Sequence, residues 1–136
     1  MLSHVYLGTK DLSRAFGFYQ RVLAPLPLKL RFHEPDEGWA GWEPAGGGRP
    51  LLIVGRPFDG QPHGAGNGQM VALLATDRAQ VRQVHAAALA AGGRCEGPPG
   101  PRPHYHPHYY GAYFRDLDGN KLAVACHVPA APGEPS

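Results

Sequence analysis

HVYLGTKDLSRAFGFYQRVL, residues 4–23, and MVALLATDRAQVRQVHAAAL, residues 70–89, decide the fold of this chain. Each opens with an extended apolar run, His4–Thr9 and Met70–Ala75. Each then carries an aspartate, Asp11 or Asp77, placed to accept from the free amides of a helix's first turn. Gln80 stands three residues after Asp77, the spacing of a capping-box variant. Leu12, Ala15, Phe16, Tyr19, Val22 and Leu23 recur at helical spacing, as do Val81, Val84, His85, Ala88 and Leu89. The spacing predicts helices over Leu12–Leu23 and Asp77–Ala91, ended by Pro25 and Pro27 in one case and Gly92-Gly93 in the other. A shift of sixty-six positions lays Val5 on Val71, Leu7 on Leu73, Asp11 on Asp77, Tyr19 on His85, Leu23 on Leu89 and His4 on Met70.

Both halves continue in the same way. Leu28–Phe32 alternates as a half-buried strand does. Gly38–Glu43 and Pro50–Gly55 follow, separated by turn residues. The second half offers Arg94–Glu96, a proline-rich loop, and then Gly111–Arg115 and Lys121–Cys126 as a hairpin closed by Asp116–Asn120. The sequence therefore reads as an α+β fold of two βαβββ modules, about 2–56 and 68–128, in one domain over 1–128. The Pro-, Ala- and Gly-rich residues 129–136 read as a disordered tail.

Composition narrows the function. Thirteen basic residues face eleven acidic ones in a chain of 136, a net charge of +2. That balance gives no electrostatic case for nucleic acid or an anionic membrane. No apolar run approaches membrane-spanning length. The opening residues lack a basic segment followed by an apolar one, so the expected compartment is the cytoplasm, with Cys95 and Cys126 as reduced thiols.

HYHPHYYGAYFRDLDGNK, residues 104–121, is the richest stretch in ring side chains. His104, His106 and His108 alternate, so an extended chain would turn all three to one side, as Zn, Ni or Cu would require. Pro103 and Pro107 disturb that geometry, and no acid is placed as a further ligand. A rigid loop whose rings wall a pocket is the favoured reading, with His106 as a candidate proton donor or acceptor. Trp39 and Trp42 lie three apart in one strand and should face opposite sides. Trp42 is taken as the one that lines the ligand site. The glycine-rich stretches at 46–48 and 64–68 lack the Gly-Lys-Ser/Thr of a phosphate loop.

Asp11-Leu12-Ser13-Arg14-Ala15-Phe16-Gly17-Phe18-Tyr19 after the first strand, and Asp116-Leu117-Asp118-Gly119-Asn120-Lys121-Leu122 before the last, resemble the vicinal oxygen chelate superfamily. That group includes glyoxalase I, bleomycin-resistance proteins and extradiol dioxygenases. The resemblance spans about Leu2 to His127. It implies an open, cup-shaped mixed sheet, a small-molecule ligand inside the cup, and a homodimer. It also implies where metal-dependent members place ligands. Those positions are His4, Met70, Ala123 and the Leu51–Val54 strand, and only His4 has a donor suited to a divalent ion.

The resulting expectation is a small-molecule-binding protein of the glyoxalase/bleomycin-resistance type, with a degenerate metal site and no cofactor. Its expected ligand-binding residues are His4, Trp42, Met70, His106, Tyr110 and Ala123, with the ligand held between His4 and the loop carrying His106 and Tyr110. Two enzymatic alternatives stay open. One is a lyase, isomerase or dioxygenase-type enzyme acting on a small carbonyl or aromatic substrate. The other is a metal-free enzyme with His4 or His106 as acid or base.

Overall fold

In the computed structural model, which describes residues 1–134, the two modules form two four-stranded sheets. The first module runs β1 (His4–Gly8), α1 (Leu12–Leu23), β2 (Leu28–Glu34), β3 (Trp39–Pro44) and β4 (Leu51–Gly55). The second runs β5 (Val71–Leu74), α2 (Arg78–Ala90), β6 (Arg94–Pro101), β7 (Tyr110–Arg115) and β8 (Lys121–Cys126). The strand orders are β1-β4-β3-β2 and β5-β8-β7-β6. In each sheet the first strand pairs parallel with the last, and the other pairs are antiparallel. The last two residues of the tail read as 129–136 lie outside the described residues.

The helix caps are those the sequence predicts. Asp11 accepts from the amide of Arg14, and Asp77 from that of Gln80. The Gln80 side chain reaches back to the amide of Thr76 at 2.8 Å, which completes the reciprocal cap. The two helices pack on each other and on one face of the sheets. Strand parity then sorts the rest. Leu7, Ala40, Trp42, Leu52 and Val54 of the first module join Ala112, Phe114, Leu122, Val124 and Cys126 of the second in one core with Phe18, Tyr19, Val81 and Val84. Each large apolar side chain removed from water in this way contributes about 1.5–3 kcal/mol before ordering costs are counted. The residues between them, including His4, Tyr6, Trp39, Glu43 and Tyr113, belong to the opposite, open face.

One segment departs from the expectation. The proline-rich stretch read as loop from Gly97 extends β6 to Pro101. β6 is an edge strand, paired on one side only, where proline's missing N–H is tolerated. Register shifts on either side of Gly97 absorb the irregularity.

Candidate functional site

The open face carries two groups of polar and aromatic side chains, one on each sheet. On the first sheet, a cavity of about 660 Å³ is lined by Tyr6, Gly8, Glu37, Trp39, Arg56, Pro57, Phe58, Gly60 and His63. β1 supplies Tyr6 and Gly8 because Val5 and Leu7, on alternate positions, turn toward the helices. Trp39 arrives from β3 and is fixed by a 2.8 Å bond from its Nε1 to Glu34 and by the ring of Phe32 at 5.2 Å. The Tyr6 hydroxyl donates to the carbonyl of Arg56, which ties the connection after β4 to the sheet. Burial raises the Tyr6 phenol despite the opposing pull of the Arg56 charge, so it stays protonated and a donor.

His63 completes the wall. The Asn120 amide nitrogen donates to the Gly8 carbonyl and to Asp116, both at 2.9 Å, which orients its oxygen toward His63. That oxygen can only accept, so His63 Nε2 carries the proton and donates across 2.9 Å. The other ring nitrogen, Nδ1, faces Gly8 as an acceptor, and a Cβ at Gly8 would collide with it. The cavity thus brings together a cation (Arg56), an indole face (Trp39), a phenol and an acceptor imidazole. Such a mix suits a small, planar molecule with an acceptor or anionic group.

The second group lies where β6 and β7 connect. The amide of His108 donates to Nδ1 of His106 at 3.1 Å, so His106 Nε2 carries the proton and donates to Nδ1 of His127 at 2.8 Å. Tyr109 packs edge-on to His106, His127 and Tyr105. Its hydroxyl meets that of Tyr113 at 3.0 Å. Arg102 and Lys121 stand 5.6 and 5.8 Å from the centre of the Tyr113 ring. Burial, followed by the bond to Tyr109, raises the Tyr113 phenol.

The residues singled out in the sequence fall in different places. His4 is exposed on β1, with its Nδ1 2.9 Å from the Ser3 hydroxyl. Met70 is half-exposed and lines a smaller groove of about 260 Å³ with Tyr6, Leu7, Asn120 and Lys121. Ala123 is fully buried on β8, between Ala72 and Tyr113. Trp42 sits in the core, 2% exposed, against Phe16 and Tyr19, and it is Trp39 that turns to the cavity. Tyr110 is buried on the helix-facing side under Arg78 and Arg82, whereas its neighbour Tyr109 takes the open face. Among the described residues no hydrogen bond or ring contact joins His4 to His106. Nor does any group of three or more His, Cys, Asp or Glu come together that could hold a metal ion.

The sequence reading set Trp39 aside in favour of Trp42, did not choose Tyr6 or Arg56, and did not single out His63, Tyr109 or His127. Strand parity against Val5 and Leu7 is a signal that finds Tyr6. Nothing local finds His63, which sits in an aperiodic connection and meets Asn120 only through the fold.

A family model matches residues 1–124, described as the Glyoxalase/Bleomycin resistance protein/Dioxygenase superfamily. The chain belongs to this superfamily. A glyoxalase/bleomycin resistance protein from Albidiferax ferrireducens T118 is 33% identical, with a TM-score of 0.83 over 93% of this chain and 98% of that one. Two more distant members of the same fold are TioX from Micromonospora sp. ML1 and lactoylglutathione lyase from Agrobacterium tumefaciens. TioX is 23% identical, with a TM-score of 0.65 over 94% of this chain and 99% of that one. The lyase is 22% identical, with a TM-score of 0.63 over 93% and 92%. No curated protein matches the chain in sequence. As in the superfamily resemblance read from the sequence, the repeated βαβββ unit leaves an open face on each module.

Proposed function

We propose that this superfamily member is a small-molecule-binding protein that works without a metal ion. Its ligand is a small planar or carbonyl-bearing molecule with an acceptor or anionic group. The observation that carries the reading is the cavity over β1 and β3, where Trp39, Tyr6, Arg56 and His63 converge.

The donor chemistry around His4 does not fit a divalent ion. Its register partner on β4 is Leu51, Met70 offers a thioether, and Ala123 offers no donor at all. A single exposed imidazole with water would hold such an ion weakly. The metal-binding positions of the superfamily are therefore read as degenerate in this chain.

A catalytic alternative rests on one observation, the imidazole of His63 in the cavity lining, whose Nε2 is held by Asn120 and whose Nδ1, over Gly8, is left as the acceptor. In a glyoxalase-like lyase or isomerase, or a dioxygenase-type enzyme that has kept only acid–base chemistry, this nitrogen would take the substrate proton.

We also propose a homodimer. A groove of about 500 Å³ runs along Val5, Leu28, Leu51, Leu52 and the whole of β5, and its lining is almost entirely apolar. Met70 and Leu74 in its lining stand exposed, and β1 and β5 are both unpaired edges. No helix among the described residues is long and apolar enough to cross a membrane. The unpaired thiols of Cys95 and Cys126 suit a reducing compartment, and the cytoplasm is the one proposed.

The test is a titration of chelator-treated protein with small aromatic acids and α-keto acids, read by the fluorescence of Trp39 in a Trp42→Phe background. Saturable quenching that is lost in Arg56→Gln and unaffected by added Zn, Ni or Mn supports the reading. Quenching that needs a stoichiometric metal, or that survives Arg56→Gln unchanged, overturns it. His63→Gln separates binder from enzyme: a binder loses affinity at most, whereas an enzyme loses turnover with affinity nearly intact.

A further inference from the structure

The helix-facing side of the second sheet holds another polar cluster, away from the open face. Arg78 is the first residue of α2 and is only 5% exposed. Its guanidinium carbon lies 4.8 Å from the centre of the Tyr110 ring. Arg82, one turn later, stands 5.8 Å from the same ring, and its Nη1 donates to the Tyr110 hydroxyl at 3.3 Å. Two guanidiniums therefore crowd one aromatic ring. Arg82 Nη2 also donates to Oε1 of Glu134, in the tail, at 3.0 Å.

Two atoms of this cluster are buried without a partner: Nε of Arg78 and Oε2 of Glu134. One is a donor on a cation and the other an acceptor on an anion. The nearby acid Asp77 is engaged as the cap of α2, its Oδ1 taking the Gln80 amide at 2.8 Å. It does not satisfy Arg78. A buried guanidinium calls for a carboxylate or phosphate that uses both its oxygens. Glu134, delivered on a tail with Pro129 and Pro132, reaches one arginine and leaves the second unmatched.

We propose that Arg78, Arg82 and Tyr110 form a carboxylate-binding site, which Glu134 fills in cis and which accepts a small organic acid when the tail leaves. An untethered carboxylate can set one oxygen on Arg82 and the other on Nε of Arg78, satisfying the donor that Glu134 leaves open. The tail then acts as a tethered competitor, with an effective concentration in the millimolar range set by its short connection to β8. Tyr110 connects this site to the open face, because it precedes Gly111 in β7 and follows Tyr109, which packs on His106 and His127. The site shares no residue with the cavity over β1 and β3, so it stands or falls separately from the function proposed above.

The experiment titrates full-length protein and its Glu134→Gln variant with succinate, following the Nε–Hε resonances of Arg78 and Arg82 by NMR. Neutral succinamide is the control. Both resonances are expected to shift saturably in the Glu134→Gln protein, with an apparent Kd about tenfold below that of the unaltered chain, since the tethered competitor is gone. Adding Arg78→Lys should abolish the saturation. Should that double variant fail to fold, Arg82→Gln, at a more exposed position, serves in its place. Equal apparent Kd with and without Glu134, an equal response to succinamide, or full binding in the arginine variants overturns the proposal.

Discussion

The hydroxyl of Tyr19 donates to Oδ2 of Asp116 across 2.6 Å, and this buried bond joins the helix of the first module to the last hairpin of the second. Asp116 also accepts from the amides of Asp118 and Asn120 and from the Asn120 side chain, each at 2.9 Å. Asn120 in turn holds Gly8 and His63. One carboxylate thus links the core of both modules to the wall of the candidate cavity.

Tyr19→Phe removes one donor from that carboxylate and leaves three. A hydrogen bond to a charged group contributes about 1.5–3 kcal/mol, and a loss in that range is expected in chemical denaturation. The pH dependence has a definite sign. Burial first, and then Asp116, raise the Tyr19 phenol well above its usual value. The unfolded chain therefore loses this proton first, at about pH 10, and stability falls as pH rises beyond it. The Phe variant should show a shallower fall above pH 10 than the unaltered protein. An identical slope would remove Tyr19 from the account.

His85 predicts the opposite limb. It lies on the buried side of α2, 6% exposed, with Nε2 3.3 Å from the Cys95 thiol. Burial lowers its pKa. Above about pH 6.5 both folded and unfolded forms are neutral and the stability is fully present. As pH falls below that value the unfolded chain takes the proton first, and stability drops until the folded form titrates too. Thermal melts between pH 7 and pH 5 should show this decline, and His85→Gln should flatten it.

Gly8→Ala places a Cβ against the His63 ring. The imidazole must move, and its bond to Asn120 goes with it. Overpacking of this kind costs about 1–3 kcal/mol. The change should also free the connection between β4 and β5, which is measurable as faster proteolytic cleavage near Phe58 and Gly60. Unchanged cleavage would mean that His63 does not hold that segment.

The proposed homodimer is tested by sedimentation at micromolar concentration, which should give twice the chain mass. Leu74→Lys puts a charge in the lining of the apolar groove and should shift the protein to monomer with its fold retained. A monomer before any substitution would leave the groove and the β1 and β5 edges without the partner assigned to them.

The repeated βαβββ order, both helices and their aspartate caps were legible in the sequence. Those signals are local: apolar spacing over a few turns, a capping carboxylate within three residues, a Gly-rich turn. β6 was read too short, because proline forbids ladder donation in general but not at an edge, and which strand is an edge is a property of the sheet. Parity told that Trp39 and Trp42 face opposite ways, but which of them meets α1 depends on how β3 lies against the helix. Only the tertiary structure chose Trp42 for the core and Trp39 for the cavity. His63 and His127 needed it as well, since their partners Asn120 and His106 lie 57 and 21 residues away. The sequence by itself determined the elements, because short-range sterics and hydrogen bonding set them. Which side chains share the cavity was decided by long-range packing, as burial of the common core turned one face of each strand inward and left the side chains of the other to converge from distant parts of the chain.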